Sequence, residues 1–335
     1  MNWSRFVEEF KDIDRRNFLG EYLKWGSRFR DAYERTEPID FEFNRLIIAG
    51  MGGSGIVGDI IRDFLEYEYG LITYVIKDSI VPIKLSRDDL FIGISFSGNT
   101  IETIDAVLNA LKMNAKIVVV TTDGLLSKLA EEKGFKAVII EPALAPRAGL
   151  PQMLGATLKL LSTIVNLKNE YIRIAEALDD DCKKYDISVK ENRAYKLAYN
   201  MLGRLPVVYS HRKYRAVLHR IKSSINENAK MNAYYAVAPE LYHNEIESYE
   251  EVIDPGILPI LLMDDEENDI LKYLSRYFEE FKIDYIYMLY EGKTYLEKML
   301  RMITLFDIAS IYLAGLRRID PYEIKAINVI KKWRS

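Results

Sequence analysis

Leu90-Phe91-Ile92-Gly93-Ile94-Ser95-Phe96-Ser97-Gly98-Asn99-Thr100-Ile101-Glu102-Thr103 joins an apolar run to a helical pattern through a turn of hydroxyls, an amide and one glycine. Leu90 to Ile94 shows no polar alternation, the signature of a strand covered on both faces. The helical pattern begins at Thr100. The first amides of a helix have no intrahelical partner, and the helix dipole is positive there. Ser95, Ser97 and Thr100 place three hydroxyls at this end, a seat for a phosphate dianion. A simple cap by Ser97 or Asn99 would account for only one of these polar residues. The cluster therefore favours the anion.

Working outward, strand-like and helical runs alternate. Arg45–Ala49, Leu71–Ile76, Leu90–Ile94, Lys116–Val120 and Lys136–Ile140 read as strands. Ile56–Leu65, Thr100–Met113 and Leu125–Lys133 read as the helices between them. Apolar strands separated by helices describe a doubly wound parallel sheet. Two amphipathic segments, Trp3–Ile13 and Phe18–Tyr33, precede it, so residues 1–165 are expected to form one domain with leading helices. The polar stretch 166–192 reads as a helical connection, and 193–335 repeats the plan. There the expected strands are Leu205–Tyr209, Ala233–Val237, Ile257–Met263 and Ile283–Met288. The expected helices are Tyr214–Ser224, Asn268–Phe281, Glu297–Ala314 and Tyr322–Trp333. The fold class is α/β, two doubly wound parallel-sheet domains with a cleft expected between them, where small ligands commonly bind.

Composition narrows the function. The chain has 335 residues, 49% hydrophobic and 29% charged, with a net charge of −4. That balance argues against a nucleic-acid partner, which needs a basic surface. Without an apolar run near 18 residues no membrane span is expected, and the acidic start does not read as a signal peptide. A single cysteine, Cys182, excludes an intrachain disulfide and fits a cytoplasmic location. Three histidines without paired-ligand spacing point to no metal.

Gly50-Met51-Gly52-Gly53-Ser54-Gly55 follows the first strand and formally matches a dinucleotide fingerprint, with Asp78 after the second strand as a ribose ligand. A dinucleotide would leave the Ser97 cluster without a task. Two anion-friendly loops on one rim suit a compact phosphorylated ligand instead. Arg147, set between Pro146 and Pro151 in a stiff loop, can stabilise an oxyanion, or it is an ordinary surface arginine. Glu227, between Asn226 and Asn228 at a helix end, is a candidate general base, or a solvated helix-end glutamate. His243 sits in a polar, aromatic loop that suits a titrating imidazole. His211 and His219, in the basic stretch His211 to Arg220, read as surface groups or as help to an anion site and not as catalysts.

The runs GMGGSG, SFSGNTIET, PRAGLP, INENAK and LYHNEIE, in this order, resemble the archaeal and bacterial bifunctional phosphoglucose/phosphomannose isomerases, members of the phosphoglucose isomerase superfamily built from two sugar-isomerase (SIS) domains. The resemblance covers about residues 45–335. It implies interconversion of glucose 6-phosphate and fructose 6-phosphate, with mannose 6-phosphate as a further substrate, through ring opening and a cis-enediolate. It implies no metal or redox cofactor. By the same resemblance Ser95, Ser97 and Thr100 hold the phosphate, Gly53 and Ser54 contact the sugar, and Arg147 stabilises the enediolate. Glu227 moves the proton between C2 and C1, and His243, donated across a homodimer interface, assists ring opening. Lys331 matches the family's ring-opening lysine, with Lys325 and Lys332 as alternatives. The chain departs from the family at Ser210-His211-Arg212-Lys213, where glycine and serine are usual, and at Ile324, where some members carry a threonine tied to mannose acceptance. Two rival readings are a non-catalytic phosphosugar-binding protein and an NAD-dependent dehydrogenase. A different sugar-phosphate isomerase, or a deaminase on the same scaffold, would differ mainly in substrate.

Overall fold

The computed structural model describes residues 3–250, 256–264 and 269–334. Its contacts divide the chain into two units, Lys24–Asp180 and a second made of Met1–Leu23 with Asp181–Ser335.

The unit Lys24–Asp180 is built on β1 (Arg45–Ala49), β2 (Thr73–Ile76), β3 (Asp89–Ile94), β4 (Lys116–Thr121) and β5 (Lys136–Ile139). All pair in parallel, in the order β2-β1-β3-β4-β5. The register places Ile47 beside Phe91 and Phe91 beside Ile117, all buried, so the middle of the sheet is apolar on both faces. Its helices are α3 (Trp25–Arg35), α4 (Gly52–Tyr69), α5 (Ile101–Lys112), α6 (Leu125–Lys133) and α7 (Leu150–Leu160), followed by α8 (Glu170–Tyr185). Connections leave β1 and β3 toward opposite edges of the sheet, so the pair β1/β3 is the topological switch point. In such sheets ligands bind outside the carboxyl ends of those strands.

The other unit repeats this order with one strand fewer. Here β6 (Leu205–His211), β7 (Tyr234–Ala238), β8 (Ile257–Met263) and β9 (Ile286–Leu289) pair in parallel as β7-β6-β8-β9. Its helices are α1 (Trp3–Ile13), α2 (Phe18–Tyr22), α9 (Arg193–Met201), α10 (Arg215–Ala229), α11 (Lys272–Glu280), α12 (Tyr295–Leu316) and α13 (Lys325–Arg334). The expected start of α11 at Asn268 lies outside the described residues.

Four features differ from the sequence expectation. The first two helices belong with the second unit, not with residues 24–165. Aromatic packing explains this: Trp3 meets Tyr195 at 4.6 Å, Phe6 meets Tyr195 at 4.8 Å and Phe10 meets Tyr312 at 5.8 Å between ring centroids. Phe18–Tyr33, read as one amphipathic segment, is broken into α2 and α3, and α3 begins where Asp179 accepts a hydrogen bond from Ser27 N at 3.1 Å. Helices α7 and α9 carried no sequence signal. Ten of the eleven residues of α7 are buried, so it has no polar face to set a period. Finally, α12 is long and apolar enough by composition to cross a membrane, with mean hydropathy 1.5, but 94% of that window is buried inside the fold. Its length serves the core of its unit, where α9 and α10 pack on it.

Candidate active site

Three loops of the unit Lys24–Asp180 converge at the β1/β3 switch point. The first, Gly50–Met51, leads from β1 into α4, whose first turn carries Gly52 and Gly53. The second, Ser95–Thr100, leads from β3 into α5. The third, 142–149, precedes α7 and is folded into a turn by Ala148 N and Gly149 N donating to Ala145 O at 2.9 and 3.2 Å. A side-chain carbon at Gly53 would stand 3.3 Å from Arg147 Cα, and Gly149 lies on the Phe96 ring. The turn bearing Arg147 is thus wedged between the other two loops, and Arg147 is only 3% exposed. That burial replaces the surface-arginine reading.

The hydroxyls divide into two groups. Ser95 is buried, and its Oγ donates to Thr100 Oγ1 at 3.0 Å. Thr100 is the N-cap residue of α5, yet its side chain makes no capping hydrogen bond. Asn99 Oδ1 accepts from Leu125 N at 3.0 Å, and Ser97 Oγ from Asn99 N at 3.3 Å, so neither caps α5. The first-turn amides of α5 therefore take no side-chain cap. Ser97 is exposed at the rim. The Ser54 hydroxyl is buried, accepting from Phe96 N at 3.2 Å and contacting Met153 Sδ at 3.3 Å. It ties the first two loops together. Phe96 and Met153, which hold this arrangement, left no signal in the sequence, because their partners are distant along the chain.

Gly98 gives the serine loop its shape. Its φ is +66°, and an added Cβ would overlap the carbonyl of Asp123. Left-handed backbone disfavours any side chain by about 1–2 kcal/mol, before that overlap. Gly98→Ala should lower the melting temperature and weaken inorganic-phosphate binding together, measured by thermal unfolding with and without phosphate.

In the unit holding residues 181–335, Glu227 sits in the last turn of α10 and is half-buried. The helix end around it is braced. Asn226 Nδ2 donates to Met231 O at 2.8 Å, Asn228 Nδ2 to Ser310 Oγ at 2.9 Å, and Arg317 to Ala229 O at 2.7 Å. Lys230, the left-handed C-cap, reaches Asp320 O at 2.8 Å. The two asparagine amides thus hold the helix end. His243 is exposed on a short 3-10 turn after β7. Its neighbours are anchored, Tyr242 OH donating to Ile270 O at 2.7 Å and Tyr209 OH to Glu245 at 2.9 Å. Lys331 lies exposed on α13, as do Lys325 and Lys332. Among the described residues, no hydrogen bond or ion pair joins Glu227 to His243 or Lys331.

This unit has its own switch point, β6/β8, and its own residues fill it. Asp264, just past β8, accepts from Lys298 at 2.5 Å, Lys213 at 3.0 Å and Tyr214 OH at 2.6 Å. Two cations of the basic stretch His211 to Arg220 are thereby buried: Lys213 is 8% and Arg220 1% exposed by side chain. Burial alone would raise the Asp264 carboxyl, but hydrogen bonds from Lys298, Tyr214 and Lys213 outweigh it and hold the carboxyl down at about 2. A depressed carboxyl contributes stability above its unfolded value, about 3.9, and loses it as pH falls through the folded one. Wild type should therefore lose more melting temperature between about pH 4 and pH 2 than Asp264→Asn does.

Among the described residues no group of three His, Cys, Asp or Glu is arranged to hold a metal ion. The SIS-domain family profile matches residues 41–163, and the profile of the bacterial phospho-glucose isomerase C-terminal SIS domain matches residues 190–333. A relative in Aquifex aeolicus, named bifunctional phosphoglucose/phosphomannose isomerase, is 32% identical, the alignment covering 87% of this chain and 90% of the relative. A more distant one in Sulfolobus acidocaldarius, D-glucosamine-6-phosphate 4-epimerase, is 25% identical, with 93% and 96% covered. Among solved structures, tagatose-6-phosphate ketose/aldose isomerase from Escherichia coli superposes with a TM-score of 0.64 at 15% identity, covering 95% of each chain.

Proposed function

The chain belongs to the bifunctional phosphoglucose/phosphomannose isomerase family, and on that premise we propose that it interconverts glucose 6-phosphate, fructose 6-phosphate and mannose 6-phosphate. The observation that carries this is the uncapped end of α5, with Ser95 and Thr100 beside it and the buried Arg147 against the glycine loop. Such an end takes a phosphate dianion.

The chemistry then needs three groups. A base removes the C2 proton of the open-chain aldose, leaving a cis-enediolate, and the same proton returns to C1 to give the ketose. Glu227 fills this role. Arg147 stabilises the negative oxygen that develops beside it. His243 and Lys331 serve ring opening, which moves a proton onto the ring oxygen and off the anomeric hydroxyl. His243 acts from a second copy of the chain, and its exposed position supports that assignment. Pairing is also supported by α13, whose Ile330 and Trp333 are 48% and 76% exposed. Large apolar side chains clustered in water mark interaction surfaces. We place the enzyme in the cytoplasm and give it no cofactor.

A coupled assay tests the reading. Fructose 6-phosphate should form from both aldose phosphates, without added metal or nicotinamide. Glucosamine 6-phosphate belongs in the same panel, because the Sulfolobus relative is named for that substrate. Epimerisation of the amino sugar with no aldose–ketose turnover would overturn the proposal. Sedimentation of the 38.8 kDa chain as a dimer is expected.

A further inference from the structure

Beneath the last turns of α10 lies an ion pair wholly withdrawn from water. Arg220 is 1% and Asp307 0% exposed. Arg220 Nε donates to both Asp307 oxygens at 3.1 Å, and Nη2 donates to Oδ2 at 2.6 Å. Ser224 Oγ donates to Asp307 as well, and Ser310 Oγ donates to the Asp307 carbonyl at 2.6 Å while accepting from Asn228. Arg220, Ser224, Glu227 and Asn228 follow i, i+4, i+7 and i+8, one face of a helix. The network thus runs along the face that carries Glu227, from α12 up to the residue beside it. A buried ion pair gains little stability over apolar side chains of the same volume. Fixing a geometry is the use that remains.

We propose that Arg220 and Asp307 are positioning residues for the Glu227 carboxylate, setting its place at the end of α10 and the electric field in which it exchanges its proton. The inference rests on the reading of Glu227 as the proton shuttle. The pair and the glutamate sense each other's charge. Glu227 reinforces the positive charge on Arg220, and it adds to the burial that pushes the Asp307 carboxyl up. Tyr22 of α2 is another titratable group facing Arg220. His219 of α10 lies against Tyr235 of β7, ring centroids 6.2 Å apart. Lys230 and Arg317 stand at the helix end, donating to backbone carbonyls.

Removing either partner should disturb the setting of the glutamate. Asp307→Asn and Arg220→Gln should each lower kcat about tenfold with KM within about twofold, and Arg220→Lys, which keeps the charge, should restore most of kcat. A loss confined to kcat and recovered by the conservative variant supports the inference; a structural brace would move melting temperature alone. If Arg220→Gln does not fold, Asp307→Asn against Arg220→Lys carries the comparison. A kcat equal to wild type in these variants, in a protein whose Glu227→Gln variant is inactive, would overturn the inference alone. Full turnover in Glu227→Gln would remove the shuttle reading and this inference with it.

Discussion

Glu227→Gln should lower kcat by ~10²–10⁴-fold, the range for losing a positioned general base. Affinity for fructose 6-phosphate should change little, because the phosphate site we propose, at Ser95, Thr100 and the amides of α5, lies far along the chain from position 227. The amide keeps the size of the carboxylate and the braces from Asn226 and Asn228, so a fall in kcat reports lost proton transfer and not lost fold. Two measurements check it: turnover in the coupled assay, and exchange of the C2 proton with solvent deuterium, which should stop together. Unchanged turnover would remove Glu227 from the chemistry. A parallel loss of melting temperature would instead mark it as part of the helix-end scaffold.

What the sequence showed depended on how local the controlling physics is. Strands β1, β3 and β4 are apolar on both faces and were legible within a residue of their ends. Helix α7 was not, since a segment buried all round has no period to read. The break between α2 and α3 follows from Asp179, some 150 residues downstream, accepting from Ser27 N. No window around Phe18–Tyr33 contains that information. The assignment of α1 to the second unit has the same origin, in rings on α9 and α12 that local pattern cannot see.

The candidate site divides likewise. The hydroxyl cluster and the glycine run were visible because each is made of consecutive residues at the start of a helix, where an anion site would draw on neighbours in the chain. The task of Ser54 was not, because its partners Phe96 and Met153 come from other elements. Charge was not legible locally. Lys213 and Arg220 stand in a basic stretch, and each is drawn inside by one carboxylate from a distant element, Asp264 and Asp307. A buried cation needs such a partner, and sequence spacing does not name it.

Arg147→Ala should lower kcat by ~10²–10³-fold, the scale for removing one donor to a developing oxyanion. The structure makes this a sharper test than the sequence could. At 3% exposure the side chain is held inside the site, on a turn closed by hydrogen bonds to Ala145 O and flanked by Gly53 and Phe96. An arginine there presents a planar fork that lysine lacks, so Arg147→Lys should recover only part of the rate. Positive charge that acts on the enediolate alone leaves KM for the aldose phosphate nearly unchanged, since the ground-state sugar is uncharged at C1 and C2. If KM rises as steeply as kcat falls, Arg147 is a phosphate ligand and joins Ser95 and Thr100. If both constants hold while the melting temperature drops, the residue only locks the loop. The oxyanion role requires the first pattern, a loss confined to kcat, with inorganic-phosphate binding intact.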